Sequence, residues 1–203
     1  MRRLMVGFLA AILLAGCSSS IPRYSAVFSP TVPPPTASAP PAGSSPAAAV
    51  DTSAWITVAP QGEGFSILIP CAATPVSESA TAAGVGTYLY TYWSCTDSSG
   101  RVFLVSLTKF AAGTLSGPAK PNFDYTEQGY VKNLPAAQVE SQSDLTLGGH
   151  PGRTVVIANS TTREQGEMVI VGDTEYLVGV GYPVGLADDG VVNAFMASFK
   201  LTV

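Results

Sequence analysis

The sequence predicts an α+β domain of antiparallel strands and two helices, behind a signal peptide and a disordered linker. Three observations predict it. Apolar runs such as Phe65 to Ile69, Gly86 to Ser94, Arg101 to Phe110 and Glu175 to Tyr182 are separated by turn residues, the texture of strands joined by hairpins. Asn122 to Leu134 and the stretch after Asp188-Asp189 instead space their apolar residues as helices do. Ahead of both, a basic start, an apolar run and a Pro/Ala/Ser-rich tract divide the chain into residues 1–16, 17–50 and 51–203.

The first unit begins with Arg2 and Arg3, followed by 12 apolar-textured residues from Leu4 to Ala15. A helix of that length rises about 18 Å, short of the roughly 30 Å hydrocarbon layer, so a cleaved signal fits better than a spanning helix. Leu14-Ala15-Gly16-Cys17 resembles the lipobox of bacterial lipoproteins. That resemblance implies cleavage before Cys17, diacylglycerol on its thiol and acylation of the new amino terminus. Two or three acyl chains on one residue exceed the two-chain threshold for stable anchoring. An ordinary secretory signal with a chance cysteine is the alternative. The arginine pair sits too early for the folded-export route, so general secretion is expected, and with it a lipid-anchored domain on the extracytoplasmic side of the cell envelope.

Residues 17–203 carry 8 Lys and Arg against 14 Asp and Glu. A net negative chain disfavours nucleic acid, which selects a basic surface. Ser18 to Val50 contains Pro33-Pro34-Pro35, Pro40-Pro41 and Ser44-Ser45-Pro46. It has too little apolar surface to offset its ordering entropy, and is expected to be a stalk reaching about 30 Å as a coil or about 100 Å as polyproline II. Tyr24 and Phe28 within it are incidental or touch the membrane surface.

In the domain, Trp55 to Ala59 and Phe65 to Ile69 read as strands around the turn Gln61 to Gly64, the second stopped by Pro70. Val76 to Thr81 and Gly86 to Ser94 read as a hairpin centred on Ala83, which pairs residues whose numbers sum to 166. Cys71 and Cys95 meet that sum, and with Cys17 consumed by lipid they are the remaining thiols. A disulfide is expected, with two separate buried thiols as the alternative. Tyr88, Tyr90 and Tyr92 alternate onto one face of their strand, either covered by a helix or exposed as a candidate partner surface. After the turn Asp97-Ser98-Ser99-Gly100, the next strand places Phe103, Val105 and Leu107 on one face. Asn122 is placed to cap a helix that runs to Leu134 and stops at Pro135; Phe123, Glu127, Tyr130 and Leu134 share a face. Val139 to Leu147 leads into Gly148-Gly149-His150-Pro151-Gly152. Strands at Arg153 to Ala158, Gly166 to Val171 and Glu175 to Tyr182 follow. Gly179 and Gly181 lie opposite Tyr176, Val178, Val180 and Tyr182, so a close approach is expected there, with the final helix as its candidate. That helix starts at Asp188-Asp189, buries Val191, Val192, Phe195, Met196 and Phe199, and ends before an extended Lys200 to Val203.

The order of these elements resembles the PsbP-like and DcrB-like superfamily. The likeness rests on Gly64-Phe65-Ser66-Ile67-Leu68-Ile69-Pro70, on Leu147-Gly148-Gly149-His150-Pro151-Gly152-Arg153 and on Phe195-Met196-Ala197-Ser198-Phe199-Lys200-Leu201. It covers Trp55 to Val203 and implies a twisted antiparallel sheet flanked by helices. Many members are small envelope lipoproteins or accessory proteins that bind partners, and no catalytic residues come with the family.

No reactive constellation stands out. There is no G-x-S-x-G, and His150, the single histidine, sits in a tight turn between Gly149 and Pro151. Gly148-Gly149 lacks the lysine of a phosphate loop. Glu164, Glu167, Asp173 and Glu175 gather around one hairpin without the ligand spacing of a calcium loop, and read as a solvated edge. The expectation is a non-enzymatic binding or accessory module without cofactor or metal, for an envelope protein or cell-wall component. The alternative is a carrier of a lipid or other apolar ligand, which needs a cavity of a few hundred Å³.

Overall fold

The computed structural model describes residues 50–82, 85–186 and 190–203. The signal, Cys17, the linker with Tyr24 and Phe28, and Asp188-Asp189 lie outside the described residues.

The strands are β1 (Ile56–Val58), β2 (Phe65–Ile69), β3 (Thr74–Ala82), β4 (Gly86–Thr96) and β5 (Val102–Lys109), then β6 (Gln138–Leu147), β7 (His150–Ala158), β8 (Thr162–Val171), β9 (Thr174–Pro183) and β10 (Lys200–Leu201). Helix α1 (Ala119–Asn133) lies between β5 and β6, and α2 (Val191–Ala197) between β9 and β10. Seven strands form an antiparallel sheet in the order β3-β4-β5-β9-β8-β7-β6; β1, β2 and β10 form a smaller antiparallel sheet with β2 in the middle. The large sheet is two meanders, β3 to β5 and β6 to β9, joined along β5 and β9.

Turn chemistry sets these hairpins. Gly148 and Gly149 both have positive φ, 59° and 85°, and Leu147 pairs with His150 across them, the two-residue turn whose twist suits a hairpin. At the β4–β5 turn, Asp97 Oδ1 accepts from the backbone N–H of Ser99 and of Arg101, both at 2.9 Å. Asn159 Oδ1 does the same for Thr161 and Thr162 between β7 and β8, both at 2.8 Å.

Period-two alternation then sorts the side chains. One face of the large sheet presents Trp93, Phe103, Val105, Leu107, Tyr176, Val178 and Val180 to Phe65, Ile67 and Ile69 of β2 and to Val192, Phe195 and Phe199 at and beyond α2. Phe65 lies at the junction, its ring 5.5 Å from Trp93, 6.0 Å from Tyr176 and 6.1 Å from Phe199. The other face presents Leu104, Val155, Ile157, Met168, Ile170 and Leu177 to Phe123 and Leu134 of the α1 segment. α1 links the central β5 to the edge strand β6, so it crosses this face over the β7 side and leaves the β4 side beside it uncovered.

Cys71 and Cys95 form a disulfide, with Cα atoms 5.8 Å apart. The register differs from the expected one. β3 and β4 pair as Thr74 with Ser94 through Ala82 with Gly86, numbers that sum to 168. Cys71 precedes the ladder, and the chain reaches Cys95 from the end of β2 rather than from directly across. Serine at Cys95 should remove the loop-closure contribution, about 3.5 kcal/mol on the chain-entropy relation. Urea unfolding of Cys95→Ser against the native chain measures it, and equal midpoints would contradict it.

Two helix expectations are corrected. α1 starts at Ala119 behind Pro118 and not at Asn122, and no side chain caps it; Pro118 tolerates that position because its missing N–H is not needed there. α2 does not approach Gly179 and Gly181. It packs on the opposite face, where Phe195 meets Phe103 at 5.0 Å, because its apolar residues find the larger apolar face there. Gly181 is instead overlain by the Glu164 side chain of the neighbouring strand. No helix among the described residues is long and apolar enough to cross a membrane.

Candidate functional site

Beside α1, on the face it leaves half covered, lies a cleft of about 250 Å³. One wall is the tyrosine face of β4, with Tyr88 and Tyr90; the floor is Ser106 and Thr108 of β5 and Glu175 and Leu177 of β9. The register explains the grouping, since Tyr90, Thr108 and Glu175 are consecutive cross-strand partners, as are Tyr92, Ser106 and Leu177. The second wall is α1, through Asn122, Tyr125, Thr126 and Tyr130. Residues 122, 126 and 130 repeat at four-residue spacing and therefore share a helix face.

Two devices hold the walls. The β5–α1 connection supplies the rim through Phe110, Thr114 and Leu115. Asp173, in the β8–β9 turn, fastens it: Oδ2 accepts from Gly113 N–H at 2.8 Å, Oδ1 from Leu115 N–H at 2.9 Å, and the backbone oxygen from Phe110 N–H at 2.9 Å. These N–H donors hold the Asp173 carboxyl below the usual range. At the far side of α1, the buried guanidinium of Arg153 donates to Asp124 at 2.6 Å and to Asp144 at 2.7 Å, with Glu127 at 3.6 Å. The same guanidinium lies 5.5 Å above the Phe123 ring, which ties α1 to β6 and β7.

Glu175 dominates the electrostatics. It is 8% exposed, and its carboxylate accepts from the Thr126 hydroxyl at 3.0 and 3.3 Å. Burial outweighs that hydrogen bond and pushes its pKa up to about 7. No lysine, arginine or histidine lines the cleft among the described residues. Glu164, on the same face of the sheet, is also pushed by burial to about 7. Burial likewise raises Tyr130, with Tyr90, Glu164 and Glu175 as its ionisable neighbours. Tyr90 is raised to about 12 by burial, against the hydrogen bond from Ser106. The Tyr88 hydroxyl is buried without a hydrogen-bond partner among the described residues.

The tyrosine strip, left open between helix cover and exposure, is not one exposed surface: Tyr88 is 2% exposed against Phe110, while Tyr90 and Tyr92 are half-buried with tilted rings 5.4 Å apart. Tyr88 and Tyr90 face the cleft, and Tyr92 packs against the core beneath α1. The exposed aromatic is Tyr125, at the cleft mouth with 56% exposure, which the sequence did not single out. The acidic hairpin is not a solvated edge either. Only Asp173 stays in the turn; Glu175 is buried beneath Thr126 of α1, Glu164 is half-buried over Gly181, and Glu167 is partly buried and raised by that burial. His150 opens β7 directly after the turn, away from the cleft.

No protein-family model matches the sequence, and no curated protein sequence matches it. Solved structures do. The solution structure of cyanobacterial PsbP (CyanoP) from Synechocystis sp. PCC 6803 superposes with a TM-score of 0.50 over 79% of this chain and 99% of that one, at 12% identity. The crystal structure of PA94 from Pseudomonas aeruginosa gives a TM-score of 0.35 over 64% of this chain and 84% of that one, at 7% identity. The antiparallel sheet with its two helices, superposed on almost the whole of CyanoP, therefore shares the fold of that protein.

Proposed function

We propose that the protein is an envelope lipoprotein, anchored through acyl chains on Cys17, whose domain is a non-enzymatic module that binds another envelope protein or a cell-wall component. The observation that carries this reading is the tyrosine-lined cleft beside α1, a formed concavity with convergent polar groups and, among the described residues, no nucleophile paired with a base. Tyr125 at its mouth offers the amphipathic ring that contact sites favour. The lipobox residues and the stalk of 17–50 supply the anchor and the reach.

Photocrosslinking tests it. A crosslinking residue at Tyr125 in the full chain, irradiated in native envelopes, should yield a discrete adduct that is lost when Tyr90 is also changed to Ala. The same residue at exposed Ser141 on β6 should not yield it. The same adducts from both positions would overturn the cleft as the contact. Mass spectrometry of residue 17 should find acyl chains, and a free thiol there would overturn the anchor.

Carriage of a lipid or other apolar ligand is the second reading. It draws on Phe110, Leu115 and Leu177 in the cleft. The volume of about 250 Å³ suits a side chain or a headgroup better than a whole lipid, since drug-sized ligands already occupy roughly 300 Å³ or more.

A further inference from the structure

We infer that the cleft beside α1 receives a primary ammonium group on an unbranched aliphatic stem, as a lysine-type side chain of a peptide presents it, with Glu175 as its counter-ion. The inference rests on the binding role proposed above and names the chemistry recognised. Glu175 is a buried carboxylate hydrogen-bonded to the Thr126 hydroxyl, and the cleft holds no cation of its own among the described residues. A buried carboxyl left in that state is unfavourable when ionised, and a cation brought in by a ligand would relieve it. Tyr88 adds a second unspent group, since its buried hydroxyl has no partner among the described residues and its side chain lines the same cleft. Tyr90 and Tyr125 supply ring faces of the kind that attract a cation.

The polar inventory selects the kind of cation. A primary ammonium has three N–H donors and no acceptor, which matches a carboxylate together with the hydroxyl oxygens of Tyr88 and Ser106. A quaternary ammonium would leave those acceptors unsatisfied. A guanidinium carries five N–H donors in a rigid plane, more than a carboxylate already bonded to Thr126 and two hydroxyl oxygens meet. The volume of about 250 Å³ admits a stem and headgroup of this size.

The test uses the full chain in detergent micelles, read by amide chemical shifts. n-Butylammonium chloride should shift Thr126, Glu175 and Tyr88 saturably, whereas n-butanol and tetramethylammonium should not. Equal shifts from n-butanol would overturn the charge recognition, and equal shifts from tetramethylammonium would overturn the primary-amine assignment. A lysine-containing tripeptide should compete with n-butylammonium. Competition by phosphatidylethanolamine doped into the micelles in its place would overturn the peptide source.

Glu175→Gln, which keeps the size of the side chain, should weaken binding at least about tenfold, as loss of a hydrogen bond to a charged group does. Ionisation adds an arm that needs no variant. The titratable groups around Glu175 are Tyr88 and Tyr90 from β4 and Tyr125 and Tyr130 from α1, with none cationic, and Glu164 of β8 lies beyond Tyr130. With the Glu175 pKa at about 7, binding should be about tenfold weaker at pH 6 than at pH 8, and should remain so in Glu164→Gln. Equal affinity at the two pH values would overturn the assignment of Glu175. A crosslinked adduct at position 125 without any response to n-butylammonium would sink this inference and leave the binding role standing.

Discussion

Alanine at Phe65 should cost about 3–5 kcal/mol, read as a lowered urea midpoint with an unchanged slope. Phe65 is 2% exposed and sits where the small sheet, the large sheet and the end of α2 meet. Its ring has three aromatic partners, Trp93, Tyr176 and Phe199, each on a different element or segment. Removing it opens a void bounded by all three, and such a site cannot collapse without moving a whole layer. Tyr125→Ala is the matched control. At 56% exposure its ring is mostly in solvent, and the change should stay within about 0.5 kcal/mol. Equal midpoints for the two variants would contradict the layered core described here.

The domain should also be more stable near pH 5 than near pH 8. Glu164 and Glu175 rise from the ordinary 4.5 to about 7 on folding, both through burial. The folded state therefore holds its protons while the unfolded chain gives them up, so stability falls as pH rises from about 4.5 to 7 and is flat above. A shift of that size corresponds to about 3 kcal/mol for each group. Glu167, raised by burial in the same direction, adds to the trend. The carboxylates of Asp97 and Asp173 act the other way. Hydrogen bonds hold them below their ordinary 3.8, so their stabilisation is present above that value and is lost as pH falls through it. Unfolding midpoints taken between pH 4 and pH 9 should therefore peak near pH 5. In Glu175→Gln the decline toward pH 8 should shrink by about half, since one of the two strongly raised groups is gone. A midpoint that climbs steadily from pH 5 to pH 8 would contradict the desolvation that raises both glutamates.

Much of the architecture is readable in the sequence because hairpins are local. Asp97 to Gly100, Gly148-Gly149 and Gly172-Asp173 carry turn chemistry in the residues themselves, and the strands between them alternate cleanly. The sequence points to the right cysteines through a pairing sum two units below the observed one, since nothing local fixes the β3–β4 register to within one residue. The cleft was not readable, and the reason is the path of α1. Alternation places Glu175 on a face with Leu177, but only the crossing of α1 from β5 to β6 decides that this face is covered there. Phe110, at the start of that crossing, packs on Tyr88 while Tyr125 on α1 stays exposed, whereas the sequence leaves the Tyr88, Tyr90, Tyr92 face open between helix cover and an exposed strip. Glycine placement gave the reverse error. Gly179 and Gly181 announce a close approach, but a neighbouring glutamate, not a helix, supplies it.

The position of the disulfide has a mechanical consequence. Tension applied from the amino-terminal side enters the domain at β1, whose three pairs with β2 can open like a zip, and passes next to β2. At Cys71 the load crosses a covalent bond to Cys95 in β4, so the enclosed residues 72–94, which carry β3 and the Tyr88 and Tyr90 wall of the cleft, lie outside the path of the pull.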